Sequence, residues 1–286
     1  MSDQKLRYNE IYMSPDDKEK IKNLYQSGNS TVKIGKMFGC SHKKIARILD
    51  ELGISRTGVG RRKYNINEHY FDEIDTPNKA YIFGFLYADG SNNRNKSTVS
   101  MSLEEGDFDI LEKIRKEIGS EKELEFLDYS NKNDFGYTYK NQYRLLLFSS
   151  RICDSLAKHG LVPNKSLILE FPEIRQDLLP HFIRGMFDGD GSVYHGKKCT
   201  KFTLTITSTY SFCTKLKEIV CNTIDINCNI YDASNHNGVT KVFTVSGGKQ
   251  VKKFLDWIYC DADLFLQRKH DRYIDYFYNI NNSLSA

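Results

Sequence analysis

Two nine-residue stretches, IFGFLYADG at 82–90 and IRGMFDGDG at 183–191, lie 101 positions apart and end alike. Each is an apolar, helix-like run that stops in Asp-Gly-Ser, at Asp89-Gly90-Ser91 and at Asp190-Gly191-Ser192. Each run starts with proline just inside its expected first turn: Pro77 behind the capping candidate Thr76, and Pro180 in the second copy. Small residues recur four apart, Gly84 with Ala88 and Gly185 with Gly189. That spacing strips one helix face to backbone, so two such helices can pack unusually close. If these two pack on each other, their C-terminal ends meet and Asp89 and Asp190 converge.

The surroundings repeat as well. In the first copy a helix at 77–88 precedes a strand at 97–103, a charged helix at 107–118, strands near 122–128 and 139–148, and a helix at 150–159. The second copy offers a helix at 180–189, a strand at 201–208, a helix at 210–222, strands near 228–232 and 240–246, and a helix at 249–259. This order predicts an α+β fold of two pseudo-symmetric αβαββα-type repeats, 70–161 and 162–286, behind a small all-α unit.

Two carboxylates at converging helix ends repel each other, and both helix dipoles turn their negative ends toward them. A hard divalent cation removes that conflict, because carboxylates and the last-turn carbonyls of Ala88 and Gly189 are oxygen donors that suit magnesium. Two acids sharing metal is also what displacement at a phosphate requires. A pair of ordinary helix C-caps is the plainer alternative.

At 40 per cent hydrophobic and 27 per cent charged residues the chain has enough apolar side chains for a sizeable core. No apolar run reaches the ~20 residues of a membrane span, and MSDQKLRYNE has no signal-peptide core, so a cytoplasmic location is expected. Seven cysteines without a Cys-x-x-Cys pair favour reduced, mostly buried thiols. The seven histidines form no metal-ligand spacing, and no phosphate-cradling Gly-x-x-x-x-Gly-Lys loop occurs.

Charge is uneven. Residues 1–64 carry +7, 65–161 carry −5 and 162–286 carry +2. The basic head, 1–54, reads as three short helices. Gly35, a turn at Gly39-Cys40, the cap Ser41 and the apolar Ile45 and Ile48 follow a helix-turn-helix pattern. His42, Lys43, Lys44 and Arg47 would then face DNA; a plain three-helix packing unit is the alternative. The linker 55–69 carries Arg56, Arg61, Arg62 and Lys63, either as a basic arm on DNA or as a solvated tether.

The twin stretches resemble the two LAGLIDADG motifs of a single-chain homing endonuclease, over roughly residues 65–286. The resemblance implies that Asp89 and Asp190 bind catalytic metal, that strands form a saddle over DNA, and that cleavage leaves short 3′ overhangs. The motif's earlier acidic position is Tyr87 in the first copy and Asp188 in the second. LVPNKS (161–166) and LQRKHDRY (266–273) resemble the segments that bring a basic residue to each site, which assigns catalytic roles to Lys165 and Lys269. Strand alternation puts Ser100, Ser102, Lys201, Thr203, Thr205 and Thr207 on the face that the resemblance turns toward double-stranded DNA, a merely solvated strand face being the alternative for any one of them. The acidic run 103–125 is expected on the side facing away from it. The combined expectation is a monomeric, Mg2+-dependent, site-specific endonuclease with a long target, Mn2+ or Ca2+ substituting in binding. A non-cleaving DNA-binding regulator and an intron RNA maturase are the alternatives on the same scaffold.

Overall fold

The computed structural model describes residues 12–27, 29–54, 64–130, 133–134, 137–195, 202–233 and 240–279. They fall into two compact units, 1–64 and 65–286.

The first unit holds three helices, α1 (Pro15–Gln26), α2 (Thr31–Met37) and α3 (His42–Glu51). Ser14, Ser30 and Ser41 each accept an N-terminal amide hydrogen bond, so every start is capped by the side chain that the sequence supplies. Ile21, Ile34, Ile45, Ile48 and Leu49 close a small separate core. Gly35 lets α2 approach the turn into α3: a Cβ there would lie 2.7 Å from the Cys40 carbonyl oxygen.

The second unit opens with residues 65–69, which the sequence placed in the linker. They are tied to the fold by Asn65 N–H donating to Glu121 (3.1 Å) and Asn67 N–H to the Ile118 carbonyl (3.3 Å). Then come α4 (Pro77–Asp89), β1 (Ser91–Asn93), β2 (Thr98–Glu104), α5 (Phe108–Glu117), β3 (Glu125–Leu127), the short ribbon β4 (Asn133–Asp134) and β5 (Tyr137–Thr138), β6 (Gln142–Phe148) and α6 (Ser150–Lys158). The second copy runs through α7 (Leu179–Asp190), β7 (Gly191–His195), β8 (Phe202–Thr209), α8 (Tyr210–Ile224), β9 (Cys228–Asp232), β10 (Thr240–Ser246) and α9 (Gly248–Tyr259), with α10 (Gln267–Ile274) after it.

Both copies build a four-stranded antiparallel sheet of the same order, β1-β2-β6-β3 and β7-β8-β10-β9. Shared strand order is the duplication expressed in topology. Each four-stranded sheet also has one strand more than its sequence pattern displays, β1 and β7, and the ribbon β4-β5 adds two short strands outside the first sheet. Both β1 and β7 follow the helix end directly and are three and five residues long, too short for alternation to register.

The sheets pack their apolar faces on α4 and α7, which run through the core. Along β2, Val99, Met101 and Leu103 are buried while Thr98, Ser100 and Ser102 are not; along β8, Leu204 and Ile206 alternate with Thr203, Thr205 and Thr207. α4 is buried on every side from Ala80 to Tyr87. Its contact with α7 is backbone on backbone. A Cβ on Gly84 would stand 2.1 Å from the Phe182 carbonyl oxygen, and one on Gly185 would stand 2.1 Å from the Tyr81 carbonyl oxygen. No real contact is that short, so neither position admits a side chain unless the helices part.

Gly84→Ala or Gly185→Ala is therefore expected to cost more than the ~1–3 kcal/mol of ordinary overpacking. Urea or thermal unfolding reads the loss; a variant within error of the parent would refute the backbone contact.

Candidate active site at the paired helix ends

The close crossing carries both C-termini to one place. A Cβ on Gly189 would fall 2.3 Å from the Ala88 Cβ and 3.2 Å from Asp89 Oδ2, so the Asp89 carboxylate lies against the last turn of α7, beside Asp190. Both helices stop at once because Gly90 and Gly191 are extended (φ −80° and −87°) and fold the chain straight into β1 and β7. Glycine is needed there for room, not for a left-handed turn: a Cβ would meet the Leu86 carbonyl oxygen at 2.4 Å and the Phe187 carbonyl oxygen at 2.5 Å.

Two lysines come to the same ends from later segments. Lys165 Nζ donates to the carbonyls of Ala88 (2.9 Å) and Gly90 (2.7 Å). Lys269 Nζ donates to Phe187 (2.6 Å), Gly189 (3.2 Å) and Gly191 (2.6 Å). Each ammonium caps orphan carbonyls at a negative helix terminus, where a cation is most favoured. Asp89, Asp190, Lys165 and Lys269, far apart in the chain, thus form one cluster.

Both aspartates reach solvent, yet protein fills most of the space around them. That surrounding protein pushes the Asp190 carboxyl up to about 6; the Asp89 carboxylate adds to the rise, and Lys165 and Lys269 oppose it. Asp89 is raised by the same enclosure, against the pull of Lys269, Lys165 and Arg268. Burial lowers the Lys165 ammonium and brings Lys269 down to about 8, while the carboxylates nearby work the other way.

Two neighbours were not singled out in the sequence. Arg268 Nε bonds both carboxylate oxygens of buried Asp107 at 3.0 Å, joining α10 to the segment before α5 and setting a third cation near Asp89. Arg268 adjoins Lys269 in LQRKHDRY, so adjacency was a signal for it. Asp107 was hidden in an acidic run.

Each aspartate passes directly into a strand whose open face starts beside it. Register puts Ser91, Ser100 and Leu146 side by side on one sheet, and Ser192, Thr205, Thr244 and Asn229 on the other. Ser102, Thr203 and Thr207 share those open faces. Tyr194 and Tyr231 stand on the second, both exposed. One expectation is corrected: Glu104 and Glu125 lie on the open face of the first sheet, because register aligns Glu104 with Gln142 and Glu125 with Arg144. They are neutralised there by Lys140 and by Lys122 with Arg144. In the first unit His42, Lys43 and Arg47 are exposed on α3, and Lys44 is partly so. Arg56, Arg61, Arg62, Lys63 and Lys201 lie outside the described residues.

The donor set fits a hard divalent ion: two carboxylates open to solvent, with the Ala88 and Gly189 carbonyls behind them, all oxygen. A carbonyl has two lone pairs, so a lysine bond leaves one. Among the described residues no group of three or more His, Cys, Asp and Glu side chains gathers, and no helix is long and apolar enough to cross a membrane.

Residues 177–259 match the LAGLIDADG-like domain family. No curated protein matches the chain. Among solved structures, full-length DUF199/WhiA from Thermatoga maritima aligns at 16% identity and a TM-score of 0.44, over 73% of this chain and 65% of that one, under two thirds of its length. The homing endonuclease I-WcaI bound to its DNA recognition sequence aligns at 16% identity and 0.48, over 73% and 90% of the two chains. The meganuclease I-SmaMI bound to uncleaveable DNA aligns at 14% and 0.45, over 71% and 90%.

Between about pH 4 and 6 the folded protein holds a proton on Asp190 that the unfolded chain releases, so stability rises as pH falls through that window and the raised acid is a burden above it. In EDTA, Asp190→Asn should melt higher than the parent at pH 7.5, with the gain shrinking toward pH 4.5. Equal melting temperatures at both pH values would rule out a strained carboxylate.

Proposed function

With residues 177–259 forming a LAGLIDADG-like domain, we propose that the chain is a divalent-metal-dependent, site-specific DNA endonuclease that cuts both strands. One observation carries this reading: Asp89 and Asp190, raised acids open to solvent, stand together at the head of two open sheet faces. Carboxylates that repel each other on negative helix ends carry a cost that Lys165 and Lys269 offset only in part and that a bound cation would offset further.

In this reading Asp89 and Asp190, with the carbonyls of Ala88 and Gly189, hold Mg2+. When bound it supplies Lewis-acid polarisation of the phosphate and a more acidic water. The chain's own residues do the rest. Lys165 and Lys269, each anchored on helix-end carbonyls, hold positive charge beside the position a scissile phosphate takes. Lys269, brought down to about 8, can also hold or pass a proton near neutrality. The hydroxyls of Ser100, Ser102, Thr203, Thr205 and Thr207 meet base edges, which accept hydrogen bonds from Ser and Thr.

The second sheet's described open face has no lysine or arginine, so phosphate attraction is assigned to the basic segment 1–64, with His42, Lys43, Lys44 and Arg47 on DNA. A non-cutting DNA-binding protein is the second reading. It is favoured by the lysine ammoniums already sitting on the carbonyls that a metal would use.

Incubating a randomised duplex library with Mg2+ and sequencing the ends should reveal one long target with short 3′ overhangs. Asp190→Asn should slow cutting at least about 10²-fold with target binding intact. Full cutting by that variant removes Asp190 from the chemistry; binding without cutting in any divalent metal selects the second reading. Replacing Lys43 and Arg47 together by alanine should weaken binding on all sequences and lower the log–log salt slope by roughly 1.8. An unchanged slope would take α3 off the DNA.

A further inference from the structure

The residue two places before each helix-end aspartate differs between the copies: Tyr87 in the first, Asp188 in the second. Both are buried, and neither can touch a substrate directly. What they hold is more informative.

The Tyr87 hydroxyl lies 2.8 Å from the Glu170 carbonyl and 3.3 Å from the Gly160 carbonyl. These two carbonyls bracket one stretch of chain, and Lys165 is at its middle. A phenol has a single proton, so the shorter bond is the donated one. Gly160 is left-handed (φ +99°), and a Cβ there would come within 2.8 Å of the hydroxyl. The loop therefore closes on Tyr87 only because residue 160 is glycine. Lys165 then returns to the same helix and fastens on its last carbonyls.

Asp188 does the same for the other lysine with different atoms. Its Oδ2 accepts the Leu266 amide (2.7 Å) and the Tyr81 hydroxyl (2.9 Å), and its Oδ1 accepts the Tyr259 hydroxyl (3.2 Å). Leu266 is the pivot of α10, for its carbonyl accepts the backbone amide of Lys269 at 3.0 Å. One turn earlier on the motif helix, Arg184 donates to the Leu264 (2.8 Å) and Ile258 (2.7 Å) carbonyls. The equivalent of Arg184 in the first copy is Phe83, which packs edge-on against Tyr87 at 5.1 Å. An aromatic pair in one repeat and two oppositely charged residues in the other thus occupy the same two helix positions.

We propose that Tyr87 and Asp188 are positioning residues, each fixing one lysine against the end of its own motif helix: Tyr87 for Lys165 on α4, Asp188 for Lys269 on α7. The consequence for strand cutting rests on the nuclease reading; the placement of the lysines does not.

The test uses the full chain with Tyr87→Phe and Asp188→Asn, both near-isosteric. Trace acetylation of lysine amines read by mass spectrometry, with melting temperatures in parallel, reports each ammonium separately. Tyr87→Phe should speed labelling of Lys165 about fivefold, the factor that one net hydrogen bond of ordinary strength supplies, and leave Lys269 unchanged. Asp188→Asn should do the reverse. On target DNA each variant should accumulate nicked product with a lower kcat and similar KM, the slow strand being opposite in the two. Both lysines moving together, or neither moving in folded protein, overturns the proposal. If Asp188→Asn fails to fold, Tyr87→Phe decides alone, since the ring and its packing remain. If labelling moves as stated while the parent cuts no DNA, the nuclease reading fails and the positioning role stands.

Discussion

Backbone-on-backbone contact between α4 and α7 is the constraint from which the rest of the 65–286 unit follows. Gly84 and Gly185 each bring a Cα to the other helix's carbonyl, with no space for even a methyl group. At that separation the axes cross close enough for the two C-termini to share one location. The sheets are hung on the outside of this pair, each entered through a glycine that turns helix directly into strand. A wider crossing would separate the aspartates and turn a shared site into two unrelated helix caps.

The crossing has an electrostatic consequence. It gathers two carboxylates where two helix dipoles are negative. The protein offsets this in part with Lys165 and Lys269, whose ammoniums bind helix-end carbonyls, not the carboxylates themselves. The carboxyl oxygens are thereby left open while the charge around them is lowered. Deeper in, the fully buried Asp188 is pushed up to about 6 by its loss of water, and it stays bonded to two tyrosine hydroxyls and an amide. Arg184 sits near it on the same helix, its plane over the Tyr81 ring at 5.0 Å. A polar core of this kind tolerates little change, because removing one partner leaves the others buried and unsatisfied.

Among the described residues the open sheet faces are rich in hydroxyls, and the second carries no lysine or arginine. Their acids, Glu104 and Glu125, are paired with lysine and arginine in place.

The duplication, the helix starts at Thr76 and Ser41, the alternation in β2 and β8, and the meeting of the two motif helices were all legible in the residues, because these depend on local spacing. The candidate aspartates were legible for the same reason, and Lys165 and Lys269 through a resemblance. The very short strands β1 and β7 were not legible, being too brief to show a period. Nor were the long-range hydrogen bonds of Tyr87, Asp188, Arg184 and Asp107, which reach residues 70 or more positions away. Tertiary structure alone decided those pairings, and with them which side of a sheet Glu104 and Glu125 face. A hydrogen bond to a distant backbone carbonyl or amide leaves no mark on the identity of the residue that supplies it.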